Sequence, residues 1–134
     1  MNAGTSTAQR SSAGWHPFAP MLENRASSRA LGAPVRVVAF NAQGATMLDR
    51  IVACASEPRL KSATFFLLSE VDSGTRRCGR RIVAADLARE LGMSFAYIGE
   101  WGLYDAHGRI DAFLGNAILS REPIVDLPTE SFRR

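Results

Sequence analysis

Lysine is almost missing from this 134-residue chain: 15 of its 16 basic residues are arginine, and Lys61 is the exception. Arginine suits two-pronged contact with phosphate, yet such usage reflects coding bias just as readily, and a formal charge of +3 gives little long-range steering. Cysteine is scarce too. Cys54 and Cys78 have no CxxC or Cys/His ligand spacing around them, so a disulfide framework is excluded and two free thiols are expected. No apolar run approaches the roughly eighteen residues of a membrane-spanning helix. The first thirty residues are rich in Ser, Ala, Gly and Arg and lack the apolar core of a secretory signal. A soluble, cytoplasmic protein is expected. There is no internal repeat. No GxGxxG or Walker loop follows the first apolar run, where the turn reads NAQGAT, which disfavours the phosphate-cradling nucleotide folds.

What remains is ordinary globular composition, 46% apolar and 22% charged, at a length that suits one domain. Residues 1–32 hold few large apolar side chains (Trp15, Phe18, Met21, Leu22 and Leu31) without helical or strand periodicity, and are expected to be a flexible leader. Pro34 marks the start of a folded part over 33–134. Val35 to Phe40 is a β-branched run ending at Asn41, expected as a buried strand. Met47, Leu48, Ile51, Val52 and Ala55 then recur at helical spacing between Thr46, a candidate cap, and Ser56. Ala63 to Ser69 is a second buried-strand candidate, closed by Glu70. Asp72 to Arg81 is expected as a polar loop. A helix is expected from Arg81 to Leu91, with Gly92 as its C-cap. Ser94–Ile98 and Ala112–Leu119 complete the strands, with a loop over Trp101–Asp111 between them, and Ile124–Val125 is a candidate fifth. This order predicts an α/β domain with a mixed sheet.

Asn41 and Glu70 each end an apolar strand, where α/β sheets form their clefts. A carboxylate there suits a hard divalent cation, and an asparagine there can orient it or donate to a phosphate oxygen. On pattern alone the plainer alternative is that Glu70 opens an exposed loop and Asn41 caps a turn. Arg76, Arg77, Arg80 and Arg81 follow the same strand; Arg76 and Arg77 are the candidates for phosphate contact, against a solvated loop. His107 with Asp105 and Asp111 is better read as a Gly-containing turn than as a metal cluster. Trp101 and Tyr104 are expected to pack over the edge of the core rather than to line a cleft.

Four blocks, VRVVAFNAQ, FFLLSEVDSGTRRCGRR, AADLARELGMSFAYIGEW and LGNAILSREPI, resemble in order and spacing the opening half of the endonuclease/exonuclease/phosphatase family. They span Val35 to about Asp126. The resemblance implies the N-terminal half of a four-layer, deoxyribonuclease-like α/β sandwich. It also implies Mg²⁺- or Mn²⁺-assisted cleavage of phosphoester bonds by a phosphodiesterase, nuclease or phosphatase. By position, Glu70 matches the metal-binding glutamate and Asn41 the active-site asparagine, both catalytic. Asn116 falls in a matching block as support for the cleft wall.

The chain departs from that pattern at Ser69, where many members carry Gln, and at Leu114. The family's later Asp-x-Asn and Asp-His motifs do not occur. A truncated hydrolase, weak or inactive by itself, is therefore expected, with a phosphoester substrate that could be a nucleic acid or a phospholipid head group. Self-association through an uncovered sheet face is expected as well. A non-catalytic remnant of the same fold and an unrelated small nucleotide-binding domain are the alternatives.

Overall fold

Alternation of large apolar residues with smaller or polar ones sets the strands of this chain, and two short amphipathic stretches between them set its helices. The computed structural model describes residues 21–25, 34–45 and 48–125. In chain order these form β1 (Met21–Glu23), β2 (Val37–Asn41), a single 3₁₀ turn (Gln43–Ala45), α1 (Leu48–Ala55), β3 (Phe65–Ser73), α2 (Val83–Leu91), β4 (Ser94–Tyr104) and β5 (Ile110–Ser120). One five-stranded sheet runs in the order β1-β4-β5-β3-β2. Only β2 and β3 are parallel, joined by α1 as crossover; the other pairs are antiparallel. The protein is thus mixed α/β, as the element order predicts. A doubly wound nucleotide-binding sheet would be essentially parallel.

Both helices pack on one face. Phe66, Leu68, Phe95, Tyr97, Phe113, Ala117 and Leu119 from the strands meet Val83, Ala84, Leu87 and Ala88 of α2 in a continuous buried cluster, with Leu48, Ile51 and Val52 of α1 against it. Gly92 ends α2 in the left-handed conformation (φ 62°), its N–H reaching back to Ala88 and Arg89 carbonyls, as its position after the last apolar residue implies. Among the described residues the opposite face has no helix. Leu22, Ala96, Ile118, Leu67 and Ala39 lie in register across all five strands, and Leu22, Leu67 and Ile118 are exposed there.

Several expectations change. Met21–Glu23, placed in the leader, forms an edge strand on β4; the rest of that segment, residues 1–20 and 26–33, lies outside the described residues, as does the candidate cap Thr46. β2 is not a buried strand but the other edge of the sheet, with Val37 exposed. β4 and β5 run on through the expected Trp101–Asp111 loop, and only the tip around Asp105–Arg109 turns. Ile124 forms no strand. Its N–H and C=O are instead satisfied by the side chain of Asn24, at 2.5 and 2.7 Å, a pairing invisible to strand periodicity.

The largest difference concerns β3, which does not stop at Glu70 but continues to Ser73. The polar look of Asp72 is misleading, because this carboxylate is fully buried. Arg77 grips it with Nε and Nη2 at 2.5 and 2.7 Å, and the Thr75 hydroxyl donates to it at 2.6 Å. A buried charge so compensated is tolerable where an isolated one is not. The expected polar loop is therefore an ordered clasp built on Asp72.

Candidate functional site

Two bulges, one in each strand flanking β5, build a shallow cavity on the open face of the sheet. In β3, Leu68 pairs with Ala117 and Val71 with Gly115, so Ser69 and Glu70 together oppose Asn116. In β4, Gly99 pairs with Gly115 and Trp101 with Leu114, leaving Glu100 as the extra residue. Bulges re-aim side chains and gather near active sites. Here they carry one glutamate from each side toward the same depression of about 300 Å³, lined by Ser69, Glu70, Glu100, Trp101, Leu114, Gly115 and Asn116.

Glu70 sits at φ 54°, the left-handed region that costs a residue with a Cβ about 1–2 kcal/mol. Neighbours hold it there. The Ala42 N–H donates to the Ser69 carbonyl at 2.8 Å and the Tyr97 hydroxyl to the Val71 carbonyl at 3.3 Å, pinning the bulge from both ends. Burial, reinforced by Asp72 and Cys78, pushes the Tyr97 phenol well above its ordinary value, so the hydroxyl stays a donor. Strain of this kind persists where the surroundings over-determine it.

Gly115 makes the second bulge possible. A Cβ there would run into the Ile98 carbonyl oxygen and come within 2.9 Å of the Gly99 Cα. β4 thus lies close against β5 at this point, backbone to backbone, with Glu100 as the bulged residue beside it. The Asn116 side-chain amide donates to Glu100 Oε2 at 3.0 Å, fixing that carboxylate at the cavity wall. Glu70 and Glu100 have no ion pair among the described residues.

Of the residues singled out from sequence, Glu70 and Asn116 line this cavity. Asn41 stands one strand away, in register with Ser69. Its Oδ1 accepts the Gln43 N–H at 2.7 Å, the turn-capping role that was the plainer alternative, and it does not line the cavity. Arg77 is committed to Asp72, which, as the largest influence, raises its pKa above the ordinary value. Its guanidinium lies over Gly44, where a Cβ would stand 2.6 Å from Cζ. Arg76 is exposed and unpaired among the described residues. Arg80 is bound to Asp111 at 2.6 Å, and Arg81 bonds the Cys78 carbonyl at 3.0 Å.

Asp105 accepts the N–H groups of His107 and Arg109 at 2.8 and 3.0 Å. The Arg109 N–H, the largest influence, holds this carboxyl below the usual range. Asp105 thus serves a hairpin turn around His107, while Asp111 pairs with Arg80. Among the described residues no group of three or more His, Cys, Asp and Glu side chains is placed to hold a metal ion.

Glu100 and Trp101 were not singled out as site residues from sequence. Trp101 is 64% exposed and forms a wall of the cavity instead of packing over the core edge; Tyr104 is likewise exposed. The available signal was Gly99 inside an otherwise strand-like run, the mark of a bulge or of close backbone approach. Comparison of the chain with protein-family profiles, curated protein sequences and solved structures finds no match.

Proposed function

We propose that this chain carries part of the site of a divalent-metal-dependent phosphoester hydrolase resembling the endonuclease/exonuclease/phosphatase family. The observation that supports it is the pair of glutamates, Glu70 and Glu100, turned by opposed bulges into one cavity beside Asn116. The donors present are carboxylate and amide oxygens. That set fits Mg²⁺ or Mn²⁺, and Mg²⁺ commonly binds through one or two carboxylates, keeping waters and substrate phosphate as its other ligands. Glu70 would hold the ion, with Glu100 on the opposite wall. Two carboxylates without a cation repel a phosphate, so a phosphoester enters such a cavity only in company with positive charge. When bound, the ion supplies Lewis-acid polarisation of the phosphate and neutralises the leaving oxygen.

Asn116 holds Glu100 in place. Asn41, outside the cavity lining on the neighbouring strand, would reach a phosphate oxygen only through its amide N–H, its Oδ1 being engaged by Gln43. Among the described residues no histidine and no third acid lines the cavity, and the chain carries no Asp-x-Asn or Asp-His. We therefore expect metal and phosphate binding with little turnover by this chain alone. The same facts favour, as a second reading, a binding remnant that never turns over. A second sheet over the open face, completing a four-layer sandwich, belongs to the same proposal.

Paramagnetic broadening by Mn²⁺ of the isotope-labelled chain tests it. Signals of Glu70, Gly115 and Asn116 should fade first, and Glu70→Gln should remove the effect by deleting the anionic ligand while keeping its shape. Broadening centred elsewhere, or unaltered in Glu70→Gln, sinks the proposal. Turnover of a phosphodiester that needs Mg²⁺ and Glu70 would separate a hydrolase from a remnant.

A further inference from the structure

At the end of the sheet away from Glu70 lies a second polar depression, of about 290 Å³, lined by Pro34, Arg36, Ser62, Thr64 and Arg121. Three strand ends meet there, since Arg36 precedes β2, Thr64 precedes β3 and Arg121 follows β5. Thr64 ties them together. The Arg36 N–H donates to its hydroxyl at 3.1 Å, its own N–H donates to the Arg36 carbonyl at 2.8 Å, and the Arg121 N–H donates to its carbonyl at 3.0 Å. Thr64 is buried, so the backbones bearing both arginines are anchored to the core.

The guanidinium groups are oriented as well. Arg121 directs Nε and Nη2 to the carbonyls of Ala63 and Lys61 at 3.0 and 2.9 Å, and Arg36 directs Nη1 to the Ser62 hydroxyl at 2.6 Å. Their other N–H groups, and the Ser62 proton, remain to donate. Among the described residues no Asp or Glu lines the depression, and neither arginine forms an ion pair. Two like charges held in one hollow repel each other, a cost that a bound anion removes. Arginine forks placed in advance give up less side-chain freedom on binding than mobile ones.

We propose that this depression is an anion site for a phosphate monoester, separate from the glutamate cavity and independent of the function proposed there. Three donor groups, two guanidiniums and a hydroxyl, match the three terminal oxygens and double charge of such a group better than the two oxygens and single charge of a carboxylate. The volume stands near the lower limit for small-ligand pockets, enough for the phosphoryl group and a short organic stem.

Titration of the isotope-labelled full chain with inorganic phosphate, in EDTA and against chloride at matched ionic strength, tests this. Saturable shifts at Arg36, Ser62 and Arg121 are expected, absent with chloride. Affinity should fall about tenfold in Arg36→Ala and less in Arg36→Lys. Because Arg121 also braces two carbonyls, Ser62→Ala serves as the second variant, and a preserved spectrum shows that it folds. Displacement by glycerol phosphate identifies a soluble monoester as the source, whereas Arg36-dependent sedimentation with phosphatidate vesicles identifies a lipid head group. Shifts that merely follow chloride, or saturable binding that survives Arg36→Ala, overturn the assignment. Glu70→Gln should leave this titration unchanged, which keeps the two sites distinguishable.

Discussion

The side-chain amide of Asn116 donates to Glu100 Oε2 over 3.0 Å, from a strand whose two neighbours each bulge beside it. Asn116 is thereby a positioning residue for the second carboxylate of the cavity. In Asn116→Ala, Glu100 keeps its charge but loses its orientation. Partners of this kind, one step removed from a metal, are worth about tenfold or more in affinity. Mn²⁺ titration should show that loss with thermal stability shifted only slightly, because the pair is exposed. An unchanged Mn²⁺ affinity would remove Glu100 from the site and leave Glu70 alone there.

Gly115 is the structural condition for that arrangement. Any Cβ at this position meets backbone on β4, the Ile98 carbonyl and the Gly99 Cα, and backbone within a sheet cannot swing aside as a side chain can. Gly115→Ala should cost about 1–3 kcal/mol or more, seen as a lower urea midpoint, and should loosen Glu100 by pushing β4 away from β5. A midpoint equal to that of the parent chain would mean that β4 and β5 lie farther apart than described.

Much of this fold is legible in the sequence, and the illegible parts share one cause. Apolar runs and helical spacing locate β3, both helices and the C-cap at Gly92, because burial on one face writes itself into periodicity. Bulges break that periodicity. Glu70 looks like a strand end because a polar and then a charged residue, Ser69 and Glu70, follow the apolar run Phe65–Leu68, yet Val71 returns to the core and the strand continues. Asp72 reads as loop because an isolated carboxylate avoids the interior, but Arg77, five residues on, satisfies it. The same pairing turns Arg77 from a free phosphate contact into a brace, a distinction that Arg76 and Arg77 do not reveal as neighbours in sequence. Glu100 leaves no local signal in the sequence, since its partner Asn116 lies sixteen residues away on the paired strand.

Tyr97 gives the fold an alkaline limit. Its phenol is buried, and burial, followed by the fields of Asp72 and Cys78, raises its pKa above the ordinary 10.0. A group raised on folding contributes stability that is fully present below its unfolded pKa and is lost as pH rises through the folded one. Stability should therefore decline above about pH 10 as the unfolded chain gains a phenolate that the core refuses. Tyr97→Phe should flatten this decline while losing the bond to the Val71 carbonyl, which costs about 0.5–1.5 kcal/mol at neutral pH. Denaturant melts of both proteins between neutral pH and pH 11 check it; parallel curves would show that Tyr97 has no part in the alkaline loss.

The bare face of the sheet carries the last expectation. Leu22, Ala96, Ile118, Leu67 and Ala39 form one apolar row across five strands, with no helix over it among the described residues. Contiguous apolar surface of this kind marks a site of association. The chain should therefore self-associate with rising concentration, readable by sedimentation velocity. Ile118→Lys, at the centre of the row, places a charge where any covering surface would bury it, at a cost of several kcal/mol. Ile118 is already 43% exposed, so the fold itself should tolerate lysine. The variant should remain monomeric where the parent chain associates, with its unfolding midpoint little changed. Association at the same concentration in Ile118→Lys would place the contact elsewhere and leave this face without a partner.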